Sequence, residues 1–465
     1  MQAMRARVVI TGIGVVSALG PNARSLWSGL VEGRSGLKPV DRFDASGFAC
    51  RLAGFCGEFR ARDVVPKQDR KAVKVMARDI ELAVGASMDA VAGAGLVTRA
   101  AMGEGHPGPT TYPPDRVGAS IGAGLIATEV DELAPAFASA TEEGSAGELS
   151  LRKWGETGIG RLQPLWLLKY LPNMLACHVT IIHGAEGPSN TLTVGEASGL
   201  LSLGESTRVI ERGDADAAFA GGAECKVTPM GFLRTQLAGR LANSTRADGT
   251  DVDDGGELVR PYDPESPGTV IGEGGGILFV ERMDLASARG CERYAEVAGF
   301  GAAQSAGPYE ALGIGGDPSI PTPTDLERAG AEPGLVSAIR RALADAGIGA
   351  ESIDAIVPRG VGVPGADARE ALALREVFGD RLASIPLVTV APMVGDLSAG
   401  TGGVLAAVGA LCLKEQVLPA RLHAGRPPSW LDAGPAKARQ AKLAHVLCCS
   451  PTLGGQNAAV VLRRI

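Results

Sequence analysis

The stretch TLTVGEASGLLSLGEST, residues 191–207, decides the fold because it carries a short buried strand directly into a helix of small residues. Glu196 lies at the turn between the two. Layered α/β proteins place nucleophiles and anion-binding groups at such turns, since the unpaired N–H groups of a helix N-terminus point outward there. The sequence therefore raises the question of whether Glu196 performs chemistry or replaces a residue that did.

The same passage from strand to small-residue helix is predicted again at 385–415, in the second part of the chain. Between these passages, strand-like and helical segments alternate, which is typical of a layered α/β fold. The pattern predicts a duplicated five-layer α/β/α/β/α arrangement, with an N-terminal half at 1–290 that carries cap insertions and a C-terminal half at 291–465. Strands are predicted at 7–14, 116–124, 190–194, 217–224, 276–281, 294–303, 354–362, 385–392 and 444–451, and helices at 332–347 and 399–415.

Composition limits the function classes. The 465 residues carry a net charge of −7, which argues against a broad nucleic-acid or anionic-membrane surface. The apolar run at the start is interrupted by Gly and Thr, which predicts a first strand and not a signal peptide, and no stretch has the length of a membrane helix. The eight cysteines have no C-x-x-C spacing. We therefore expect a cytoplasmic protein without a disulfide framework, metal site or cofactor.

Three segments interrupt the regular pattern. Residues 103–115 form a Pro/Gly loop, and residues 244–269 form a long acidic loop. Each is either a solvated connection or, as long loops in compact domains often are, part of a site. Residues 142–162 carry charges at helical spacing and predict an inserted helical flap of open role.

Five segments, in order and over nearly the whole chain, resemble the β-ketoacyl-acyl-carrier-protein synthases, the condensing enzymes of fatty-acid and polyketide assembly. The resemblance implies a thiolase-like fold, in agreement with the layers predicted above. The segments are RVVITGIGVVSALG and its continuation to residue 44, residues 171–224 around VGEASG, RPYDPESPGTVIGEGGG and its continuation to residue 290, VPRGVGVPGADAREALALREVFG at 357–379, and SPTLGGQNAAVVLRRI at the end.

The resemblance assigns four chemical positions, and all four are changed. Condensation in the family uses a Cys thiolate as acyl acceptor, two histidines and a lysine. Here the Cys position is Glu196, the first His position is Arg359, the Lys position is Ala391 and the second His position is Asp396. The flanking motifs fix the register at each position. We therefore expect the family's condensation route to be blocked.

The replacements suggest a structural role for their charges. A carboxylate that attacked a thioester would give an anhydride, which water destroys quickly, so Glu196 cannot replace the thiolate as a durable acyl acceptor. Glu196 near a helix N-terminus is instead expected to form an ion pair with Arg359 across the old cavity. Of the five histidines, His178 and His183 precede the 190–194 strand, and we expect them to be packed side chains; the others are His106, His423 and His445.

The loop near the C-terminus departs from the family as well. The family's Phe-Gly-Phe-Gly-Gly-Thr-Asn gate is replaced by residues 451–457, PTLGGQN. Leu453 takes the place of the gating aromatic, while Thr452 after a proline removes the freedom that glycine gives. A mobile gate is therefore not expected.

The resemblance points further to the Cys-less chain-length factors, which pair with an active ketosynthase and shape its tunnel. The strand at about 184–194 resembles the family's dimer strand, and it would serve a homodimer equally well. DRKAVKVMARD at 69–79 resembles a basic helix that meets the acyl carrier protein, with Arg70, Lys71 and Lys74 as contacts.

Three functions stay open. The first is a chain-length-factor-like subunit in a heterodimer with an active ketosynthase. The second is an acyltransferase-type enzyme with altered chemistry at Glu196 and Arg359, and the third is a homodimeric module that binds an acyl group or its carrier.

Overall fold

The computed structural model describes residues 5–102, 108–142, 144, 147–246, 248–306, 330–422 and 425–465. Within these residues, nine strands form one mixed sheet in the order β5-β4-β6-β7-β1-β8-β13-β12-β9. The other four strands of the described residues form two short pairs, β2 with β3 and β10 with β11. The thirteen strands are β1 Val8–Val16, β2 Leu37–Pro39, β3 Leu52–Gly54, β4 Val117–Gly122, β5 Ser189–Leu192, β6 Ala217–Cys225, β7 Glu273–Arg282, β8 Ala295–Gln304, β9 Ala355–Val357, β10 Val417–Leu418, β11 Arg439–Gln440, β12 His445–Pro451 and β13 Gln456–Arg463.

Strand direction divides the sheet into two similar parts that meet where β1 pairs with β8. β4 runs parallel to β5 and β6, and β12 runs parallel to β9, whereas the pairs nearer the junction are antiparallel. The helices are α1 Ala23–Glu32, α2 Ala61–Val64, α3 Arg78–Gly93, α4 Arg99–Met102, α5 Val130–Ser139, α6 Leu151–Lys153, α7 Met174–His183, α8 Ser198–Glu211, α9 Pro229–Leu237, α10 Met283–Ala288, α11 Pro333–Ala346, α12 Pro364–Phe378, α13 Ala391–Val394 and α14 Thr401–Glu415.

Three apolar clusters define the layers, because side chains that alternate along a strand point to opposite faces of the sheet. In β7, Phe279 belongs to the cluster of α3, and Leu278 belongs to the cluster of α8 and α14. In β12, Cys448 belongs to that same middle cluster, whereas Leu447 belongs to the cluster of α11 and α12. The helices α8 and α14 therefore lie between the two parts of the sheet, which confirms the predicted duplicated five-layer fold.

The middle layer depends on close contact between α8 and α14. A Cβ placed on Gly199 would lie 2.4 Å from the backbone N of Gly403, well inside van der Waals contact. Glycine is therefore required where these helices cross. This contact holds the turn before α8 near the C-terminal part of the chain, where the other candidate site residues lie.

Two sequence predictions about local structure are wrong. Residues 385–392 do not form a strand: Leu387 makes a single bridge to Ile356, since Pro386 has no N–H to continue a ladder. Residues 69–79 do not form one helix. Two 3₁₀ turns, Lys67–Asp69 and Ala72–Val75, precede α3, and the buried, extended Met76 separates the second turn from α3.

The flap predicted at 142–162 is helical in its second part. After α6 the chain continues as a π-helical turn at Trp154–Gly158 and a 3₁₀ turn at Ile159–Arg161. The ring of Trp154 packs against Phe137 of α5, at 5.2 Å between centroids. Residues 143, 145 and 146 lie outside the described part, as do residues 103–107 of the Pro/Gly loop.

Other expectations concern the chain as a whole. All eight cysteines are free thiols. Among the described residues, no helix combines the length and apolar character needed to cross a membrane. The division into halves at 1–290 and 291–465 stays a prediction.

Candidate active site

Glu196 lies in the turn between β5 and α8, as the sequence predicts. Gly195 before it has a φ of +69°, a left-handed backbone that glycine adopts without steric cost. The 3₁₀ turn Gly195–Ala197 then leads into α8. The carbonyl of Glu196 accepts a hydrogen bond from Ser450 Oγ at 3.1 Å. The turn is thus tied to β12, and the Glu196 side chain is buried.

Arg359 follows β9 in a loop that is held by two buried carboxylates of α12. Glu370 accepts hydrogen bonds from the backbone N–H groups of Arg359 and Gly360, each at 2.9 Å. Asp367 accepts the next two, from Val361 at 3.0 Å and Gly362 at 2.9 Å. With four consecutive amides engaged, the loop has little freedom to move the Arg359 side chain.

The long loop at 244–269 contributes to the same arrangement in its second part. The N–H of Tyr262 donates to Asp367 at 2.9 Å, and its hydroxyl donates to Glu370 at 3.0 Å. Ser266 Oγ donates to the carbonyl of Gly362 at 2.6 Å. Since Tyr262 and Ser266 are buried, this part of the loop supports the site and is not a solvated connection.

Asp396 and Arg240 complete the charged group. The backbone of Asp396 exchanges hydrogen bonds with the segment before β7, and its Oδ1 accepts from the N–H of Ser398 at 3.0 Å. Arg240 follows α9, and its carbonyl accepts from the N–H of Thr269 at 2.8 Å. Arg240 is not predicted from the sequence. Its only signal is a lone arginine among the small and apolar residues of LAGRLA, 237–242.

Four side chains form what we call the charge cluster, Glu196, Asp396, Arg240 and Arg359. Arg359 Nη2 lies 2.7 Å from Glu196 Oε1 and 2.9 Å from Asp396 Oδ2. Arg240 approaches the same two carboxylates, at 3.2 Å from Glu196 and 3.6 Å from Asp396. The predicted ion pair between Glu196 and Arg359 is therefore confirmed, within a larger network of zero net charge.

The charge cluster keeps Glu196 and Arg359 ionised. Burial would raise the pKa of Glu196, but the guanidinium groups of Arg359 and Arg240 outweigh burial and hold that pKa well below its usual range. Burial would lower the pKa of Arg359, but the carboxylates of Glu196 and Asp396 outweigh it and raise that pKa. A carboxylate held in this way is a poor base and a poor nucleophile.

The other candidate positions differ in whether they lie beside the charge cluster. Thr452 and Leu453 line a cavity of about 40 Å³ together with Arg359 and Arg240. By the same measure a single water molecule needs about 10–15 Å³, so this cavity has room for a few water molecules and not for an acyl chain. Ala391, which the resemblance assigns to the position of the family's lysine, begins α13 and lies in the apolar cluster of α3.

The terminal loop is a fixed turn between β12 and β13. The N–H of Thr452 donates to the carbonyl of Gln456, and the hydroxyl of Thr452 accepts from the N–H of Gln456. Gly455, with a φ of +82°, closes the turn. Gln304 Nε2 and Ser305 Oγ of the neighbouring segment donate to the carbonyls of this turn. The loop therefore lacks the freedom of a hinge.

Among the residues that the structure describes, neither the basic residues before α3 nor His178, His183 and His445 join the charge cluster. Arg70, Lys71 and Lys74 are exposed at the 3₁₀ turns before α3.

His183 is fully buried, with Nε2 at 3.0 Å from Ser87 Oγ, and burial lowers its pKa to about 3. His178 is also buried in α7. These two are packed side chains, as expected, and His106 and His423 lie outside the described residues.

Two protein-family models match the chain. Residues 5–286 match the model of the beta-ketoacyl synthase N-terminal domain, and residues 324–425 match that of the C-terminal domain. The chain belongs to the beta-ketoacyl synthase family.

Two curated relatives match the chain over almost its full length. The 3-oxoacyl-acyl-carrier-protein synthase 2 of Coxiella burnetii (strain RSA 493 / Nine Mile phase I) is 30% identical over 466 residues, 99% of each chain. The enzyme of the same name from Staphylococcus aureus (strain COL) is 28% identical over 460 residues, 98% of each chain. The chain is thus ketosynthase-like along its whole length.

Solved structures give the same result. The ishigamide ketosynthase/chain length factor matches with a TM-score of 0.76 and 27% identity, over 99% of this chain and all of that one. A beta-ketoacyl synthase from Burkholderia phymatum STM815 matches with a TM-score of 0.75 and 25% identity, over the same shares. The chain has the thiolase-like ketosynthase fold.

Proposed function

We propose that this beta-ketoacyl synthase homologue does not condense acyl groups and serves as a chain-length-factor-like subunit beside an active ketosynthase. The observation that carries the proposal is the charge cluster, in which the carboxylate of Glu196 stands at the turn before α8 with two arginines on it. A condensing enzyme needs a nucleophile there that forms a durable thioester, and neutral donors that stabilise an enolate. An ionised carboxylate and two guanidinium groups supply neither.

The enclosed cleft gives independent support. Arg240 and Arg359 fill the space beside Glu196 and leave a cavity of about 40 Å³. The terminal loop over it is bonded on both sides and has no mobile aromatic gate. An acyl chain would have to displace buried ion pairs to enter, so turnover at Glu196 and Arg359 is disfavoured as an alternative function.

A partner role is supported by the exposed edge of the sheet. β5 is the outermost strand, and within the described residues it pairs only with β4, on one side. Ser189 and Asn190 in this strand are exposed, as is the large apolar Ile181 of the adjacent α7, at 57%. An edge strand with an apolar neighbour is stabilised by a second subunit. The likeness to the ishigamide ketosynthase/chain length factor favours a heterodimer.

We also propose that an acyl carrier protein docks on Arg70, Lys71 and Lys74. The three side chains are exposed within five residues of one another and present positive charge on a chain of net charge −7. The curated relatives are synthases whose names specify an acyl-carrier protein. A local basic patch would steer an acidic carrier towards the subunit.

Co-expression with a candidate ketosynthase tests the pairing. The expected result is a heterodimer by native mass spectrometry, and a product whose chain length depends on this subunit. The matched control is Glu196→Ala/Arg359→Met, which removes two opposite charges together, keeps the pair of Arg240 and Asp396, and should leave the assembly and product unchanged because neither residue does chemistry. A homodimer that ignores every candidate ketosynthase would contradict the subunit role, and turnover that is lost in Glu196→Ala would instead establish the altered enzyme.

A further inference from the structure

The exposed apolar side chains of this chain are concentrated in one segment. Among the residues that the structure describes, fourteen large apolar side chains are exposed, and eight of them lie within residues 125–167. Leu151 is the most exposed of all, at 79%. Apolar residues scattered singly over a surface are ordinary, whereas a concentration of them marks a surface that another molecule covers.

Four of these side chains lie on one packed unit, formed by the end of α5 and the turns that follow α6. The ring of Phe137 packs against Trp154, and the N–H of Ser150 donates to the carbonyl of Ala140 at 2.8 Å. The 3₁₀ turn Ile159–Arg161 also contacts α5. We call the four exposed side chains of this unit the apolar patch: Phe137, Leu149, Leu151 and Ile159. The contacts within the unit hold the patch in place.

Both ends of the segment adjoin β5. At its start, the N–H of Ala123 donates to the carbonyl of Leu192 in β5 at 3.0 Å, and the exposed Leu125 follows two residues later. At its end, the 3₁₀ turn Trp166–Tyr170 contacts α7, which itself packs against β5. The segment is therefore continuous with the sheet edge at which a second subunit is proposed to pair.

The β5 edge alone is too small for a stable subunit interface. Its four residues, Ser189–Leu192, span roughly 13 Å at about 3.3 Å per residue. A specific interface engages about 20–30 residues on each side and buries about 800 Å² of each partner. The additional surface has to adjoin the edge and to contain apolar side chains at its centre. Residues 125–167 meet both conditions.

The charge of the segment indicates which molecule covers it. Residues 125–167 carry seven acidic and three basic side chains, so the segment is negatively charged. An acidic carrier protein and an anionic membrane would both be repelled. A protein surface with an apolar centre and a basic rim is complementary to it.

We propose that the second subunit, which pairs at β5, also covers the apolar patch, with an apolar surface rimmed by basic side chains. The inference rests on the proposed function, because it takes this subunit to be the active ketosynthase. The strand edge then determines how the two subunits are oriented, and the patch supplies the apolar area that stabilises their association.

Dissociation of the co-expressed complex with a candidate ketosynthase, followed by mass photometry across a dilution series, tests the patch. Leu151→Glu would bury an unpaired charge in the interface and should raise the dissociation constant at least about tenfold. The matched control is Ile465→Glu, which changes another exposed apolar residue. Ile465 follows β13, which five strands separate from β5, so this variant should dissociate as wild type does.

Hydrogen exchange of the wild-type protein is a second test, which needs no variant. Backbone amides at 147–161 should exchange more slowly in the complex than in the isolated subunit, whereas those of the 3₁₀ turn Gly379–Ser384 should not change. Equal dissociation constants for wild type and Leu151→Glu, or unchanged exchange at 147–161, would overturn the inference and leave the proposed function in place. A chain that binds no ketosynthase would refute the proposed function, and the inference with it.

Discussion

Arg359 and Asp396, which the resemblance assigns to the family's two histidine positions, bind each other directly, with Arg359 Nη2 at 2.9 Å from Asp396 Oδ2. Arg359 Nη2 also lies 2.7 Å from Glu196 Oε1, so the three residues form one group. The substitutions are therefore coupled, since any one of them alone would leave a buried charge without its partner.

Removal of one charge should be more damaging than removal of a pair. Arg359→Met leaves two buried carboxylates with only Arg240, and should lower the unfolding free energy by about 3–5 kcal/mol. Arg359→Met/Asp396→Asn leaves the pair of Arg240 and Glu196, and should lose clearly less. Urea denaturation measures both against Arg340→Met, which is exposed and should change little. A loss in the double variant equal to the sum of the losses in Arg359→Met and Asp396→Asn would show that the charges act independently.

A cysteine at the turn should not restore condensation. In Glu196→Cys the nucleophile returns, but Arg359 and Asp396 still replace the neutral donors that an enolate requires, and the cavity remains small. Mass spectrometry after incubation with acyl- and malonyl-carrier protein should show no condensation product. A competent 3-oxoacyl-acyl-carrier-protein synthase 2 serves as positive control. Product formation by the variant would mean that the cysteine was the only missing component.

The basic residues before α3 should determine carrier-protein affinity. Arg70→Glu/Lys71→Glu should weaken binding of an acyl carrier protein at least about tenfold, because two attractive contacts become repulsive. The loss should diminish as salt rises. Surface plasmon resonance compares this variant with Arg340→Glu, on the exposed face of α11. Equal affinities for the two variants would place the carrier elsewhere.

The stabilisation that the protons of Glu370 and Asp79 contribute should fall as pH rises from 5 to 7.5, whereas buried His183, with its lowered pKa, contributes in the opposite direction. Burial first, and then the neighbouring Asp367 charge, raises the pKa of Glu370 to about 7, and burial raises that of Asp79 to about 7. The folded chain binds these protons more tightly than the unfolded chain, so their stabilisation is complete at low pH and is lost as pH passes through about 7. Glu370→Gln should flatten the dependence measured by urea denaturation. Glu376→Gln, exposed on the same helix, should leave the slope as it is.

The β5 edge should be sensitive to loss of a single N–H group. The N–H of Thr191 donates to the side chain of Asn190 at 2.8 Å and is not needed by the neighbouring strand. Thr191→Pro removes this donor and should weaken subunit association. Thr191→Val retains the donor and should associate as wild type does. Native mass spectrometry across a dilution series compares them, and a proline variant that dimerises normally would exclude this edge from the interface.

The sequence predicts the fold well because strand and helix patterns repeat in both parts of the chain. It also predicts the approach of Glu196 to Arg359, since flanking motifs fix the register of both. It cannot predict Arg240, which reaches Glu196 from 44 residues away through a turn without a recognisable motif. The apolar composition around Leu387 predicts a strand there. A strand also needs backbone N–H groups for pairing, however, and Pro386 has none.

The charge cluster has a consequence for whatever lies beside this subunit. Two positive and two negative groups within a few ångströms have no net monopole, so their electric potential decays much more steeply with distance than that of a single ion. The active site of a neighbouring subunit would therefore be affected by the shape of this chain and hardly at all by its buried charges. The four residues thus contribute little to the electrostatic potential outside their own cleft.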